Sequence, residues 1–174
     1  MLTKKTAAVI FLTGLSGAGK TTIANALQQK LLSEAIEPEM LDGDEIRKTI
    51  QLTAFDEESR KKHNLNVGSL ASQFELQGKL VIVSVIAPYA DVRKQIRNMC
   101  LYFIEVYVST DLQTCIKRDP KGLYKKAING ELKDFTGISA PYEIPQHPEL
   151  ILDTALLSVD ESVERIYSAL KQLQ

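Results

Sequence analysis

The stretch Gly14-Leu15-Ser16-Gly17-Ala18-Gly19-Lys20-Thr21 leaves this chain few folds to choose from. It fits G-x-x-x-x-G-K-[ST], and its flanks are those the pattern needs. Ala7 to Thr13 before it is a short apolar run that reads as a buried strand. Thr22-Ile23-Ala24-Asn25-Ala26-Leu27, with Leu31 and Leu32, reads as a helix with one apolar face. A glycine loop between strand and helix turns backbone N–H groups toward an anion, and the helix start adds partial positive charge. In such a site Lys20 reaches the β- and γ-phosphates and the Thr21 hydroxyl helps to hold Mg²⁺.

The rest of the chain repeats this alternation. Strands are expected at Glu37–Asp42, Leu80–Ala87, Phe103–Val108 and Leu150–Leu152. Helices are expected at Glu45–Gln51, from Asp56 to about Gln77, at Asp91–Cys100, Leu112–Lys117 and Val159–Leu173. The spacing predicts an α/β, three-layer P-loop NTPase fold: a mostly parallel five-stranded sheet with helices on both faces. Asp119 to Pro148, rich in Gly, Pro, Lys and Tyr, is too long for a plain connection and reads as a functional lid or a disordered segment. With 174 residues, no repeat and no linker, residues 1–174 are expected to form a single P-loop domain, its lid at about 119–148.

The net charge of −1 gives no global field to favour nucleic acid or an anionic membrane, so phosphate binding must be local. No apolar run approaches membrane-spanning length. The two cysteines, Cys100 and Cys115, form no C-x-x-C pair, which argues against zinc and disulfides and suits a cytoplasmic location, each as a buried free thiol.

Leu41-Asp42-Gly43-Asp44 places two acids at a strand end. Phosphoryl transfer needs positioned phosphates, a metal and an acid to accept or orient the incoming hydroxyl's proton, and Asp42 or Asp44 can supply that acid. Asp44 would equally cap the helix that follows. The third strand ends without an acid, which raises the value of Asp42 and Asp44 beside a metal. Arg47 and Arg60 suit bidentate capture of phosphate or sulfate. Lys61 and Lys62 read instead as a solvated face paired with Glu57 and Glu58. Phe55 and Phe135 either pack into the core or stack on a base. His63 and His147 are too isolated for a metal site, and the basic run Arg118 to Lys126 heads the lid.

Six segments resemble the adenylylsulfate kinases: GLSGAGKTT (14–22), LDGDEIR (41–47), FDEESR (55–60), FIEVYV (103–108), RDPKGLYKKA (118–127) and KDFTGISAPYE (133–143). The resemblance implies an ATP-dependent kinase that phosphorylates the 3′-hydroxyl of adenosine 5′-phosphosulfate in sulfate assimilation. It implies that ATP is held by Gly14 to Thr22, notably Gly14, Ser16, Gly17, Ala18, Gly19, Lys20, Thr21 and Thr22, with Arg118 by its base. Asp44, with Asp42 nearby, would stand beside the 3′-hydroxyl and the metal, which Thr21 and Asp44 would hold. Asp42, Arg47, Phe55, Arg60, His63, Lys121, Gly122, Leu123 and Phe135 would meet the acceptor: the arginines at its phosphosulfate, the phenylalanines around its adenine, and Lys121 to Leu123 closing over it. A homodimer is implied, with no nucleic-acid or membrane partner. The chain departs from the family pattern at His63, Leu65 and Asn66, in place of an asparagine and two arginines, and at Ala87 in place of a serine. The serine's absence rules out a phosphoserine route there and leaves direct in-line transfer. A kinase for another anionic nucleotide conjugate, such as a cytidine diphosphate derivative, would differ at such positions. That alternative stays open, as does a non-catalytic ATP-binding module.

Overall fold

The computed structural model describes residues 7–50 and 56–173. Five strands, β1 (Ala8–Thr13), β2 (Glu39–Asp42), β3 (Leu80–Ser84), β4 (Phe103–Val108) and β5 (Leu150–Leu152), form one sheet in the order β2-β3-β1-β4-β5. Every neighbouring pair is parallel, so the sheet is wholly rather than mostly parallel. All six β1 residues are buried, which is why the strand reads as an unbroken apolar run: both of its faces are covered.

Alternation along β1 assigns its side chains to two cores. Ile10 and Leu12 pack with Leu27 of α1 (Lys20–Ser33) and Ile166 of α7 (Val159–Gln172). Val9 and Phe11 pack with Val67 of α3 (Glu57–Leu76) and Ile96 of α4 (Ala90–Met99). Each such fully buried aliphatic or aromatic side chain contributes about 1.5–3 kcal/mol. The remaining helices are α2 (Gly43–Thr49), α5 (Leu112–Arg118) and α6 (Leu123–Ile128). α3 starts on the Asp56 cap, and α7 on a reciprocal Ser158–Glu161 capping box.

Three sequence expectations change. β3 ends at Ser84, although Val85 and Ala87 beyond it remain buried. The 119–148 stretch contains α6, whose Tyr124 and Ala127 are buried. Cys115 is buried but Cys100 only half-buried, its thiol pushed up to about 12 by burial and then by Glu75, so both stay unreactive. Among the described residues no helix is long and apolar enough to cross a membrane.

β1 lies between β3 and β4: β2 and β3 are laid down on one side of it, and the chain then crosses to the other side for β4 and β5. Ligands of such sheets sit beyond the strands' carboxyl ends at this reversal, and β1 ends there in the glycine loop.

Candidate active site

Gly14 follows β1 so close to β4 that a Cβ would lie 2.5 Å from the Val108 carbonyl oxygen, so only glycine fits. Gly19, at φ 107°, makes the left-handed turn into α1. The Ala18 carbonyl accepts hydrogen bonds from Thr110 (3.1 Å) and Thr154 (2.8 Å), pinning the loop from outside. Lys20 is buried and crosses the loop, donating to the carbonyls of Gly14 (3.0 Å) and Leu15 (2.8 Å). Burial lowers its pKa to about 8, against the opposing pull of Asp44.

Thr21 lies in the first turn of α1 and its hydroxyl donates to Asp42 Oδ2 at 3.1 Å, with Ser84 Oγ at 3.4 Å. Asp42 also caps α2: Oδ1 accepts the N–H groups of Asp44 (2.9 Å) and Glu45 (3.3 Å). The cap is therefore Asp42, not Asp44, because the helix begins at Gly43. This frees the Asp44 carboxylate, which pairs with Lys121. Burial raises the Asp44 pKa, but the hydrogen bond and charge of Lys121, with Lys20 and Lys48, outweigh it and hold the carboxyl below its ordinary value.

Two cavities meet here. The first, about 520 Å³, is lined by Gly17, Gly19, Lys20, Thr21, Thr22, Asp42, Ser84, Arg118, Lys121 and Thr154. The second, about 120 Å³, is lined by Gly43, Arg47, Arg60, His63, Asn64, Ala87, Leu123, Phe135 and Thr136. Ser16, Asp44, Val85 and Ile86 line both.

The first cavity thus gathers most of the residues expected at ATP. Arg118 reaches Thr154, donating to its hydroxyl (2.7 Å) and carbonyl (2.9 Å). Gly14 and Ala18 shape the loop without lining the cavity, and Gly122 starts α6 in the left-handed region. Phe55 lies outside the described residues. Ser84, Asn64, Thr136 and Thr154 escaped the sequence reading. Ser84 and Thr154 carried one usable signal, their places at or just past the ends of β3 and β5.

The second cavity is polar where it is most buried. His63 Nε2 lies 3.0 Å from the Gly43 carbonyl. Arg60 Nη1 and His63 Nδ1 are buried without a partner among the described residues. A buried polar atom left unpaired costs about 1–3 kcal/mol, more for a charged group. Burial, then the charge of Arg47, lowers the His63 pKa. Of the three departures on α3, His63 lines the cavity, whereas Leu65 packs on the α3–α4 core and Asn66 is exposed. Lys61 pairs with Glu57 (2.9 Å), as expected, and with Asp91 (3.2 Å) rather than Glu58.

The cover over the cavities is tied at both ends. Tyr124 of α6 donates to the Ser16 carbonyl (3.0 Å), and the Phe135 ring meets Tyr124 edge-on at 5.1 Å. Phe135 therefore packs with one edge and lines the second cavity as well. At the far end Arg93 holds the carbonyls of Ala87 (2.7 Å) and Glu143 (2.6 Å), and the Glu143 N–H donates to Pro88 (2.8 Å). These bonds fix the Val85–Pro88 turn, where Ala87 takes φ +44°.

The oxygens of Thr21, Asp42 and Ser84 are hard donors, and no cage of three or more acidic, histidine or cysteine side chains occurs among the described residues. That set suits Mg²⁺, which keeps several waters and is held by one or two carboxylates plus substrate phosphates.

Residues 6–153 match the family model for adenylylsulphate kinase. A probable adenylyl-sulfate kinase of Halalkalibacterium halodurans is 48% identical over 165 residues, 93% of this chain and 82% of that one. An adenylyl-sulfate kinase of Rippkaea orientalis is 44% identical over 171 residues, 98% of this chain and 94% of that one. The APS kinase of Mycobacterium tuberculosis, solved in complex with AMPPNP and APS, superposes with a TM-score of 0.90 at 36% identity, covering 95% of this chain and 98% of that one. Glycine loop, paired cavities and these likenesses all agree: the chain belongs to the adenylylsulphate kinase family.

Proposed function

We infer that this chain transfers the γ-phosphoryl group of ATP to the 3′-hydroxyl of adenosine 5′-phosphosulfate. One observation carries the reading: the Asp44 carboxylate stands in the wall common to the two cavities. The first cavity has the loop, lysine and threonine that a triphosphate needs. The second has two arginines for an anionic end and an aromatic face for a base. A hydroxyl at their junction lies beside Asp44, which is ionised at neutral pH and ready to accept its proton.

The remaining roles follow. Gly14, Ser16, Gly17, Ala18, Gly19 and Thr22 shape the triphosphate cradle, and Lys20 delivers its charge to the β- and γ-phosphates. Asp42 and Thr21 face the metal, which when bound would neutralise charge on those phosphates. Since Thr21 meets Asp42, we assign Asp42 to the metal side and Asp44 to the hydroxyl. Arg118 flanks the base of ATP. Arg47 and Arg60 grip the phosphosulfate, Phe135 with Phe55 holds the adenine, and Leu123 packs beside it. Lys121 pairs with Asp44 and, as the acceptor enters, is the cation positioned to shift onto phosphate oxygens. The cover, with Gly122 at its turn, excludes water, so the group passes to an alcohol. Residues 1–174 act as one kinase domain, in our reading a homodimer, as the family resemblance implies, and cytoplasmic, as the two unpaired cysteines suit.

An acceptor screen by coupled ADP release tests the assignment. Turnover with adenosine 5′-phosphosulfate and none with cytidine nucleotides supports it; the reverse refutes it. Of the departures that opened the cytidine alternative, Leu65 and Asn66 lie outside the cavity wall, whereas His63 and Ala87 are part of it, so the screen decides between the two acceptors.

A further inference from the structure

The acceptor cavity carries two buried nitrogens without partners among the described residues, and they are of opposite kinds. Arg60 Nη1 can only donate. His63 is different, because its other nitrogen reveals its tautomer. Nε2 lies 3.0 Å from the Gly43 carbonyl, which can only accept, so Nε2 carries the proton. In the neutral ring Nδ1 is then bare and is an acceptor. Burial and the charge of Arg47, which lines the same cavity, disfavour a second proton and outweigh Asp44, the one carboxylate among the described residues of that wall. A ligand that is anionic throughout would satisfy Arg60 and leave Nδ1 facing lone pairs.

We propose that His63 is a specificity-determining residue whose Nδ1 accepts a hydrogen bond from a neutral donor group of the acceptor nucleotide, complementing the anion-binding Arg60. Two groups of adenosine 5′-phosphosulfate offer such a donor besides the reacting hydroxyl: the ribose 2′-hydroxyl and the exocyclic amine of the base. His63 reads one of them, so the cavity selects the nucleoside part as well as the charged end. The inference rests on the second cavity being the acceptor site.

The test compares kcat/KM for adenosine 5′-phosphosulfate, its 2′-deoxy analogue and its purine-riboside analogue, which lacks the amine. Wild type is expected to reject one analogue by roughly tenfold, the scale of one lost hydrogen bond. His63→Leu is expected to abolish that preference, while His63→Asn, whose amide oxygen can stand near Nδ1, keeps part of it. A preference unchanged in His63→Leu overturns the inference and leaves the acceptor site standing. Absence of any turnover of adenosine 5′-phosphosulfate by wild type overturns both. Nitrogen NMR of His63 in the wild-type complex needs no variant: a lone Nε2 proton supports the proposal. Protons on both nitrogens would mean that the ring donates to the anion, and would overturn it.

Discussion

Gly43→Ala separates positioning from stability. A Cβ at Gly43 would sit 2.6 Å from Val85 Cγ1, whereas carbon atoms pack at about 3.5–4.0 Å, so the overlap is about 1 Å. Val85 cannot give way cheaply. It is buried and β-branched, and its N–H donates to Leu12 of β1 at 3.1 Å. The shift therefore falls on α2, a helix of only seven residues. Overpacking of this kind costs about 1–3 kcal/mol, and the helix preference for Ala over Gly returns at most about 1 kcal/mol. A net loss of about 1–2 kcal/mol lowers Tm by roughly 2–8 °C in a chain of this size. The same displacement moves Asp42 and Asp44, and a 1 Å error in placement costs up to about 10²-fold in rate. Gly68→Ala is the control. Its Cβ would meet Ile96 at 2.5 Å, in the α3–α4 contact away from both cavities. Thermal melts with an ADP-coupled assay should show both variants destabilised and only Gly43→Ala slowed, by roughly 10–100-fold. Val85→Ala added to Gly43→Ala should recover much of the rate. Normal kcat in Gly43→Ala, or equal slowing in both variants, would refute the argument.

Asp44→Asn keeps the shape of the side chain and removes its basicity; kcat should fall at least about 10²-fold with ATP binding retained, and near-normal turnover would remove Asp44 from the chemistry. Phe135→Ala should raise the acceptor KM by an amount equivalent to about 1–3 kcal/mol and leave the KM for ATP alone, since the ring lines only the second cavity. Lys20 gives a pH signature. Its folded pKa, about 8, lies below the ordinary 10.5, so between these values the unfolded chain binds the extra proton and stability rises with pH. The phosphates need the charged form, so ATP affinity should fall above pH 8 by up to about tenfold per unit. Isothermal titration from pH 7 to 9.5 checks this, and Lys20→Met should flatten both trends.

The central strands were legible because burial on both faces demands unbroken apolar runs, as in β1 and β4. The same demand misled at Val85 to Ala87. Val85 still donates to Leu12 of β1, but Ile86 and Ala87 beyond it are apolar because the turn packs on the α3–α4 core and walls a cavity, not because they pair in the sheet. With two acids flanking a glycine, the sequence put the α2 cap at Asp44, two residues too late, and only the hydrogen bonds of Asp42 correct it. α6 was hidden by the glycines and prolines around it, and its six residues are too few for a clear period. Loop, lysine and acids could be read locally. Asn64, Ser84 and Thr154 could not, since each becomes part of a wall only when distant segments meet.

The account stands on a carboxylate that readies one sugar hydroxyl for the terminal phosphoryl group of ATP. Phosphorus NMR of the protein with Mg-ATP and adenosine 5′-phosphosulfate follows that transfer directly. ADP should form one-for-one with a new phosphoester at the 3′ position, and with Asp44→Asn the ester should appear at least about 10²-fold more slowly. ADP without that ester, or an ester on the 2′ carbon, would contradict it.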